Sequence, residues 1–145
     1  MKDRIFIDSN IWIYLFVHQD NPKSKVSRQF IVENYNKNIL VISYQAINEV
    51  SNVLKGKGFS ETDIRFVIEN MSDYCNIYDY SKDIVIFASE LREKHSVSFW
   101  DSHIVASALM AQCNVLASED MQDNQKIENL TIANPFRQEF IGMNK

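Results

Sequence analysis

Four carboxylates recur at equivalent places along this chain, each where an apolar strand-like run ends or the next helix begins. Asp8 follows Arg4-Ile5-Phe6-Ile7, Glu49 lies early in the helix after Ile39-Leu40-Val41-Ile42, Asp101 heads another helix, and Asp120 follows Asn114-Val115-Leu116-Ala117. In an α/β fold the strand ends converge on one crevice, so acidic residues far apart in sequence can meet there. Two like charges about 4 Å apart repel by roughly 4 kcal/mol at an effective dielectric near 20. Either some of the four hold protons or a cation sits between them.

The cation alternative points to metal chemistry. Oxygen-only ligands suit Mg²⁺ or Mn²⁺, and no His/Cys spacing in the chain resembles a zinc site. A water activated by such an ion attacks a phosphodiester in line, with a second ion about 3.5–4 Å away available to the leaving oxygen. Asn10, Ser9 and Ser118 are small polar residues beside Asp8 and Asp120, able to orient them. The two helices starting near Glu49 and Asp101 direct N–H groups and partial positive charge at the same edge, which favours carboxylates and phosphate alike. No serine or cysteine stands with a plausible base, so a covalent intermediate is not indicated.

The elements that must position these residues alternate. Ile5-Phe6-Ile7 reads as a strand, Ile11 to Phe16 as a short buried helix, and Lys23 to Asn36 as a surface helix with Val26/Phe30 and Ile31/Tyr35 at i,i+4. Ile39 to Ile42 is a second strand. Ser43 caps a helix striped by Ile47, Val50, Val53 and Leu54, which Gly56 and Gly58 stop. Ser60-Glu61-Thr62-Asp63 is a capping sequence before Ile64, Val67, Ile68 and Met71. Asn76 to Tyr80 is a third strand, and Ser81 caps a helix carrying Ile84, Phe87, Ala88 and Leu91. Asp101 to Gln112 is a helix, Asn114 to Ala117 a fourth strand and Leu130 to Ala133 a fifth, ended by Asn134-Pro135. Strands alternating with helices predict a three-layer α/β/α sandwich around a central parallel sheet of four to five strands.

Composition is compatible with one domain over residues 1–145, since 46% hydrophobic residues supply a sizeable core and three Gly and two Pro leave little for linkers. A net charge of −4 argues against a broad electrostatic footprint on nucleic acid but leaves room for local basic clusters. Two cysteines, Cys75 and Cys113, make no disulfide framework, which fits a reducing cytoplasm. No signal-peptide pattern opens the chain, and the longest apolar run, Ile11 to Val17, has seven residues where a membrane span needs about 20.

The quoted motifs carry a resemblance. Phe6-Ile7-Asp8-Ser9-Asn10, Ile47-Asn48-Glu49, Phe99-Trp100-Asp101 with Ile104-Val105-Ala106, and Leu116-Ala117-Ser118-Glu119-Asp120 resemble the four acidic motifs of PIN-domain ribonucleases. The tail from Ile127 to Asn134-Pro135-Phe136 resembles the end of VapC-type toxins of bacterial type II toxin–antitoxin systems. The resemblance implies Mg²⁺- or Mn²⁺-dependent cleavage of RNA, a homodimer, and a cognate antitoxin that covers the site. It makes Asp8, Glu49, Asp101 and Asp120 the metal ligands, with Ser118 supporting. His103 departs from the small apolar residue many relatives carry after the third acidic position. Glu119 and Asp123 crowd the fourth motif and compete with Asp120 for the metal-facing place.

Plainer roles stand beside these. Asp8 or Asp101 alone is as well explained as a helix cap, and Glu49 as an exposed helix residue. Glu119 reads as solvated or as a supporting residue. His103 is either a proton shuttle or a core-edge histidine. Trp12, Tyr14 and Phe16 are either a base-stacking platform or packing. Lys55 and Lys57, or Arg92, Lys94 and His95, either touch RNA backbone or decorate helix ends. An aspartyl-nucleophile phosphatase would want an Asp where Asn10 stands, and a receiver-like module a Lys after its last strand, where Asn134-Pro135 stands. An inactive PIN-like module would be expected to have lost acidic residues that this chain keeps.

Overall fold

The computed structural model describes residues 2–17 and 19–137. The expected single domain also includes residues 1, 18 and 138–145, which lie outside that set. The elements run β1 (Arg4–Ile7), α1 (Ser9–Phe16), α2 (Pro22–Lys37), β2 (Ile39–Ser43), α3 (Tyr44–Gly56), α4 (Glu61–Tyr74), β3 (Asn76–Tyr78), α5 (Lys82–Lys94), α6 (Phe99–Met110), β4 (Val115–Ala117), β5 (Lys126–Ile127) and β6 (Leu130–Ala133). They form a mixed sheet in the order β3-β2-β1-β4-β6-β5, parallel except for the β5–β6 pair.

β1 is buried on both faces, which is why it reads as a continuous apolar run rather than an alternating one. Its register pairs Phe6 with Val41 on one side and Leu116 on the other, and Leu116 with Ile132. That row meets Ile84, Ala88, Leu91 and Val105 of α5 and α6. Ile5, Ile7, Leu40 and Ile42 point to the opposite face, against Trp12, Phe30, Val50, Leu54 and Met71 of α1 to α4. Two cores, one on each face, make the three layers.

Successive strands proceed from β1 to β2 to β3 on one side, and β4 returns beside β1 on the other. The order therefore reverses between β1 and β4, the place where open α/β sheets form their ligand crevice. Asp8 and the Ser118–Asp120 segment leave the sheet at that point.

Most helix starts follow the sequence signals. Ser43 Oγ accepts from the Ala46 amide at 3.0 Å and Ser60 Oγ from the Asp63 amide at 3.1 Å. Ser81 occupies the N-cap place without a side-chain cap bond. α6 begins at Phe99, two residues ahead of the expected start, because Ser98 Oγ accepts from the Asp101 amide at 3.2 Å. Asp101 is thus in the first turn and is not the cap. Among the described residues β3, β2, β1, β4 and β6 form the expected parallel sheet of up to five strands, and β5 adds an antiparallel sixth at its edge. β5 escapes detection because two residues carry no periodicity. Its two-residue loop to β6 also places Glu128 at φ 56°, a position that usually announces itself as Gly or Asn.

The end of α3 shows how one glycine is used. The Gly58 N–H donates to the Lys55 carbonyl and the Phe59 N–H to the Leu54 carbonyl, both at 3.1 Å, which is a Schellman closure. Gly58 has φ +88°, Gly56 does not leave the helical range, and a Cβ at either would meet nothing within 4 Å. Backbone preference alone then sets the signs. Gly58→Ala is expected to cost about 1 kcal/mol and Gly56→Ala to add about 0.5 kcal/mol, read as opposite shifts of the urea midpoint at unchanged m. Shifts of the same sign would contradict this assignment.

Candidate active site

Asp8 is held from three directions. Its N–H continues the ladder to the Ala117 carbonyl at 3.0 Å, and extended angles (φ −71°, ψ 156°) make it the N-cap of α1. One carboxylate oxygen accepts from the Ser9 amide at 2.7 Å and the other from the Ser118 hydroxyl at 2.8 Å. Its exposure is 6%, so both oxygens are set by protein rather than by bulk water.

Ser118 couples two corners of the site. It is fully buried just after β4, and its amide bonds the Ala133 carbonyl at 3.0 Å. Its hydroxyl donates to Asp8 and accepts from the Asp120 amide at 3.2 Å. Asp120 Oδ2 in turn accepts from Asn10 Nδ2 at 3.0 Å. Asn10 and Ser118 therefore link α1 and β4 across the switch point. Glu49 lies in the second turn of α3 and Asp101 in the first turn of α6.

The electrostatics show that these side chains feel one another. Burial pushes the Asp8 carboxyl above its usual range, and the Asp120 and Asp101 charges push the same way against the Ser118 and Ser9 hydrogen bonds. Burial also raises Glu49, followed by the charges of Asp8 and Asp120. The charges acting on both groups are all carboxylates.

A divalent ion fits this donor set. The residues offer oxygen only, and the buried Asn10 Oδ1 has no hydrogen-bond partner among the described residues. Among the described residues no three His, Cys, Asp or Glu side chains converge tightly enough to enclose an ion by themselves. Mg²⁺ does not require such a cage, because it keeps several waters and takes one or two carboxylates. Tetrahedral zinc would require it.

The two competitors at the fourth corner are engaged elsewhere. Glu119 accepts from the Tyr14 hydroxyl at 2.7 Å and pairs with Lys23 at 2.6 Å, with the Lys23 ammonium over the Tyr14 and Phe136 rings. Asp123 accepts from the Asn134 amide at 2.7 Å and lies 3.9 Å from Arg137. Glu119 ties the loop after β4 to α1 and α2; Asp123 ties it to the end of β6.

Other candidates fall on the plainer side. His103 is buried at 5% exposure, shares a hydrogen bond with the Tyr80 hydroxyl, and is packed by Phe99 and Trp100. Burial, then the Arg92 charge, lowers its pKa, which favours the neutral ring. Trp12 is fully buried and stacks on Phe16, so it is core. Lys55 pairs with Glu61, His95 with Glu128, and Arg92 bonds Ser102 Oγ while covering the Phe99 ring. Sequence reasoning missed Ser98, whose capping bond orients the turn carrying Asp101; its Ser-x-x-Asp spacing was the available signal.

Among the described residues no helix is long and apolar enough to cross a membrane. No curated protein matches the chain at the sequence level. Its fold is similar to that of a toxin–antitoxin complex from Klebsiella pneumoniae, at TM-score 0.69 and 22% identity over 91% of this chain and 98% of that one. VapBC-1 from nontypeable Haemophilus influenzae is similar at TM-score 0.66 and 22% identity, over 92% and 99% of the two chains. Mycobacterium tuberculosis VapC20, a Sarcin-Ricin loop cleaving toxin, is similar at TM-score 0.62 and 15% identity, over 77% and 86%. The PIN domain family model matches residues 5–126, a span that contains Asp8, Glu49, Asp101 and Asp120. The chain belongs to the PIN-domain family.

Proposed function

We propose that this chain is a metal-dependent endoribonuclease of the VapC toxin type, hydrolysing RNA phosphodiesters with Mg²⁺ or Mn²⁺ and neutralised by a cognate antitoxin. One observation carries the reading: four carboxylates from four separate segments share one electrostatic neighbourhood beside the β1/β4 switch point, and only negative charges act on the two that are shifted. Asp8, Glu49, Asp101 and Asp120 would hold the ion or ions. When bound, a divalent cation supplies positive charge for the phosphate and lowers the pKa of its water.

The chain's own residues do the positioning. Ser9 N–H and Ser118 Oγ fix Asp8, and Asn10 fixes Asp120, so the acceptors are ordered before RNA arrives. Glu119 supports the site indirectly by anchoring the loop that carries Asp120.

Partners and setting follow the same reading. Several of the structural neighbours are toxin–antitoxin complexes, which supports an antitoxin partner. Exposed Val32, Tyr35, Val85 and Ile86 offer apolar surface for that partner and for a second copy in a homodimer. Cys75 and Cys113 are free and buried, their thiols pushed up to about 12 by burial, as suits a reducing cytoplasm. The test is incubation of the purified protein with total RNA. Cleavage is expected with Mn²⁺ or Mg²⁺ and is expected to stop with EDTA and resume when metal is restored. Cleavage indifferent to chelator would overturn the metal assignment, and no cleavage under any metal would overturn the reading.

A further inference from the structure

The carboxylate group is flanked by surface that metal ligation does not use. A hollow of about 460 Å³ beside it is lined by Tyr44, Gln45, Asn48, Glu49, Asn52 and Tyr80. A second, of about 350 Å³, is lined by Gln45, Glu49, Trp100 and Ile104. Both volumes fall in the range of ligand sites, about 300–1,000 Å³. They share Gln45 and Glu49, so Glu49 stands on the wall between them.

Helix geometry builds the first hollow. Gln45, Asn48, Glu49 and Asn52 fall at i, i+3, i+4 and i+7, one face of α3. The other face buries Ala46, Ile47, Val50 and Leu54 in the core, which fixes the rotation of the helix. No hydrogen bond among the described residues engages the three amide side chains. Each amide carries a donor and an acceptor, the complement of a nucleobase edge.

The rims are aromatic, and two of the three rings are held in place. Tyr44 is 52% exposed, Tyr80 42% and Trp100 67%. The Tyr80 hydroxyl is tied to His103, and Trp100 meets the Phe99 ring edge-on at 5.0 Å. Exposed, oriented rings are stacking platforms for unpaired bases. Neither lining contains Lys or Arg, so neither hollow is built to grip a phosphate backbone or a duplex through charge.

We propose that the α3 face beside Glu49 reads bases of single-stranded RNA. One base stacks at Tyr44 and Tyr80 with its edge against Gln45, Asn48 and Asn52. A neighbouring base stacks on Trp100, and the phosphate between them lies toward the carboxylates. This rests on the ribonuclease reading and assigns the residues of this chain that read the bases of its substrate.

The test measures binding of fluorescein-labelled single-stranded RNA 10-mers, one for each homopolymer and one of mixed sequence, by anisotropy in an Asp8→Asn background with Mg²⁺. Tyr44→Ala and Trp100→Ala are each expected to weaken binding by about 5- to 150-fold. Tyr44→Phe keeps the ring and is expected to bind like its parent. Asn48→Ala with Asn52→Ala is expected to flatten the differences among homopolymers. Phe66→Ala, exposed on α4, controls for loss of an unrelated ring, and unchanged thermal midpoints control for folding. Ring and amide variants that bind every RNA like the parent overturn the proposal, including the case in which they lose self-association or a protein partner instead. If they bind like the parent while the parent protein cleaves RNA in an Asp8-dependent way, the base site fails and the ribonuclease reading stands. If they lose RNA binding while the parent protein cuts nothing under Mg²⁺ or Mn²⁺, the ribonuclease reading fails and the base site stands.

Discussion

Asp8→Asn is expected to lower single-turnover RNA cleavage by on the order of 10³-fold or more, the loss of about 4 kcal/mol of transition-state stabilisation. The size follows from where Asp8 sits. It is the most buried of the four carboxylates, and both its oxygens are held by Ser9 N–H and Ser118 Oγ. Its charge therefore acts from a fixed point in a poorly screened place. Asparagine has nearly the same shape: its carbonyl can accept from Ser9 N–H while its NH₂ donates to Ser118 Oγ. The substitution removes charge and one ligand oxygen with little loss of packing. Labelled RNA at saturating protein, with the thermal midpoint of each variant alongside, separates lost chemistry from lost fold. Full activity in purified Asp8→Asn would refute the mechanism.

The second large effect concerns stability. Asp8 and Glu49 have folded-state pKa values above their ordinary ones, so the folded chain binds protons more tightly than the unfolded chain. A raised carboxylate adds stability at pH values below both pKa values. That contribution is lost as pH rises from the ordinary carboxylate range through the raised one, and above it ionised, crowded carboxylates count against folding. In EDTA, Asp8→Asn is expected to gain on the parent as pH rises through this window, reaching on the order of 1 kcal/mol, about 2–4 °C in Tm. Mn²⁺ at about 100 times its Kd is expected to stabilise the parent by about 2.7 kcal/mol, about 5–10 °C, and Asp8→Asn much less. Thermal melts of both proteins from pH 4 to 8, with and without Mn²⁺, check the sign at each step. A variant that is less stable than the parent in EDTA at every pH, with an undiminished Mn²⁺ shift, would contradict the account of the cluster.

The parts legible in the sequence were those encoded locally. Ile5-Phe6-Ile7 announced a doubly buried strand, and Ser43 and Ser60 announced their helices, because a run or a cap needs only its neighbours. Asp8 and Asp120 were placed by topology: any residue just past a parallel strand lies at the carboxyl edge of the sheet. What stayed hidden depends on partners distant in sequence. Glu119 reads along the chain as solvated or supporting, and nothing local shows that Lys23, 96 residues away, and Tyr14 claim its carboxylate. His103 reads along the chain as either a proton shuttle or a core-edge histidine, and only the packing of Tyr80, Phe99 and Trp100 around it selects the second. β5 is too short for a periodic signal, and Phe99-Trp100 masked the true start of α6 because exposed aromatics do not look like a first helical turn.

In the proposed mechanism water, positioned by carboxylates and a divalent ion, cuts the RNA chain. Attack by water leaves a linear phosphate at one new end, whereas attack by the neighbouring 2′-hydroxyl leaves a 2′,3′-cyclic phosphate. Mapping the chemistry of the ends produced by the purified protein in Mn²⁺ tests this most directly. Linear phosphate ends are expected, and they are expected to disappear in EDTA and in Asp8→Asn. Cyclic phosphate ends, or ends still formed in EDTA by the Asp8→Asn protein, would contradict this mechanism.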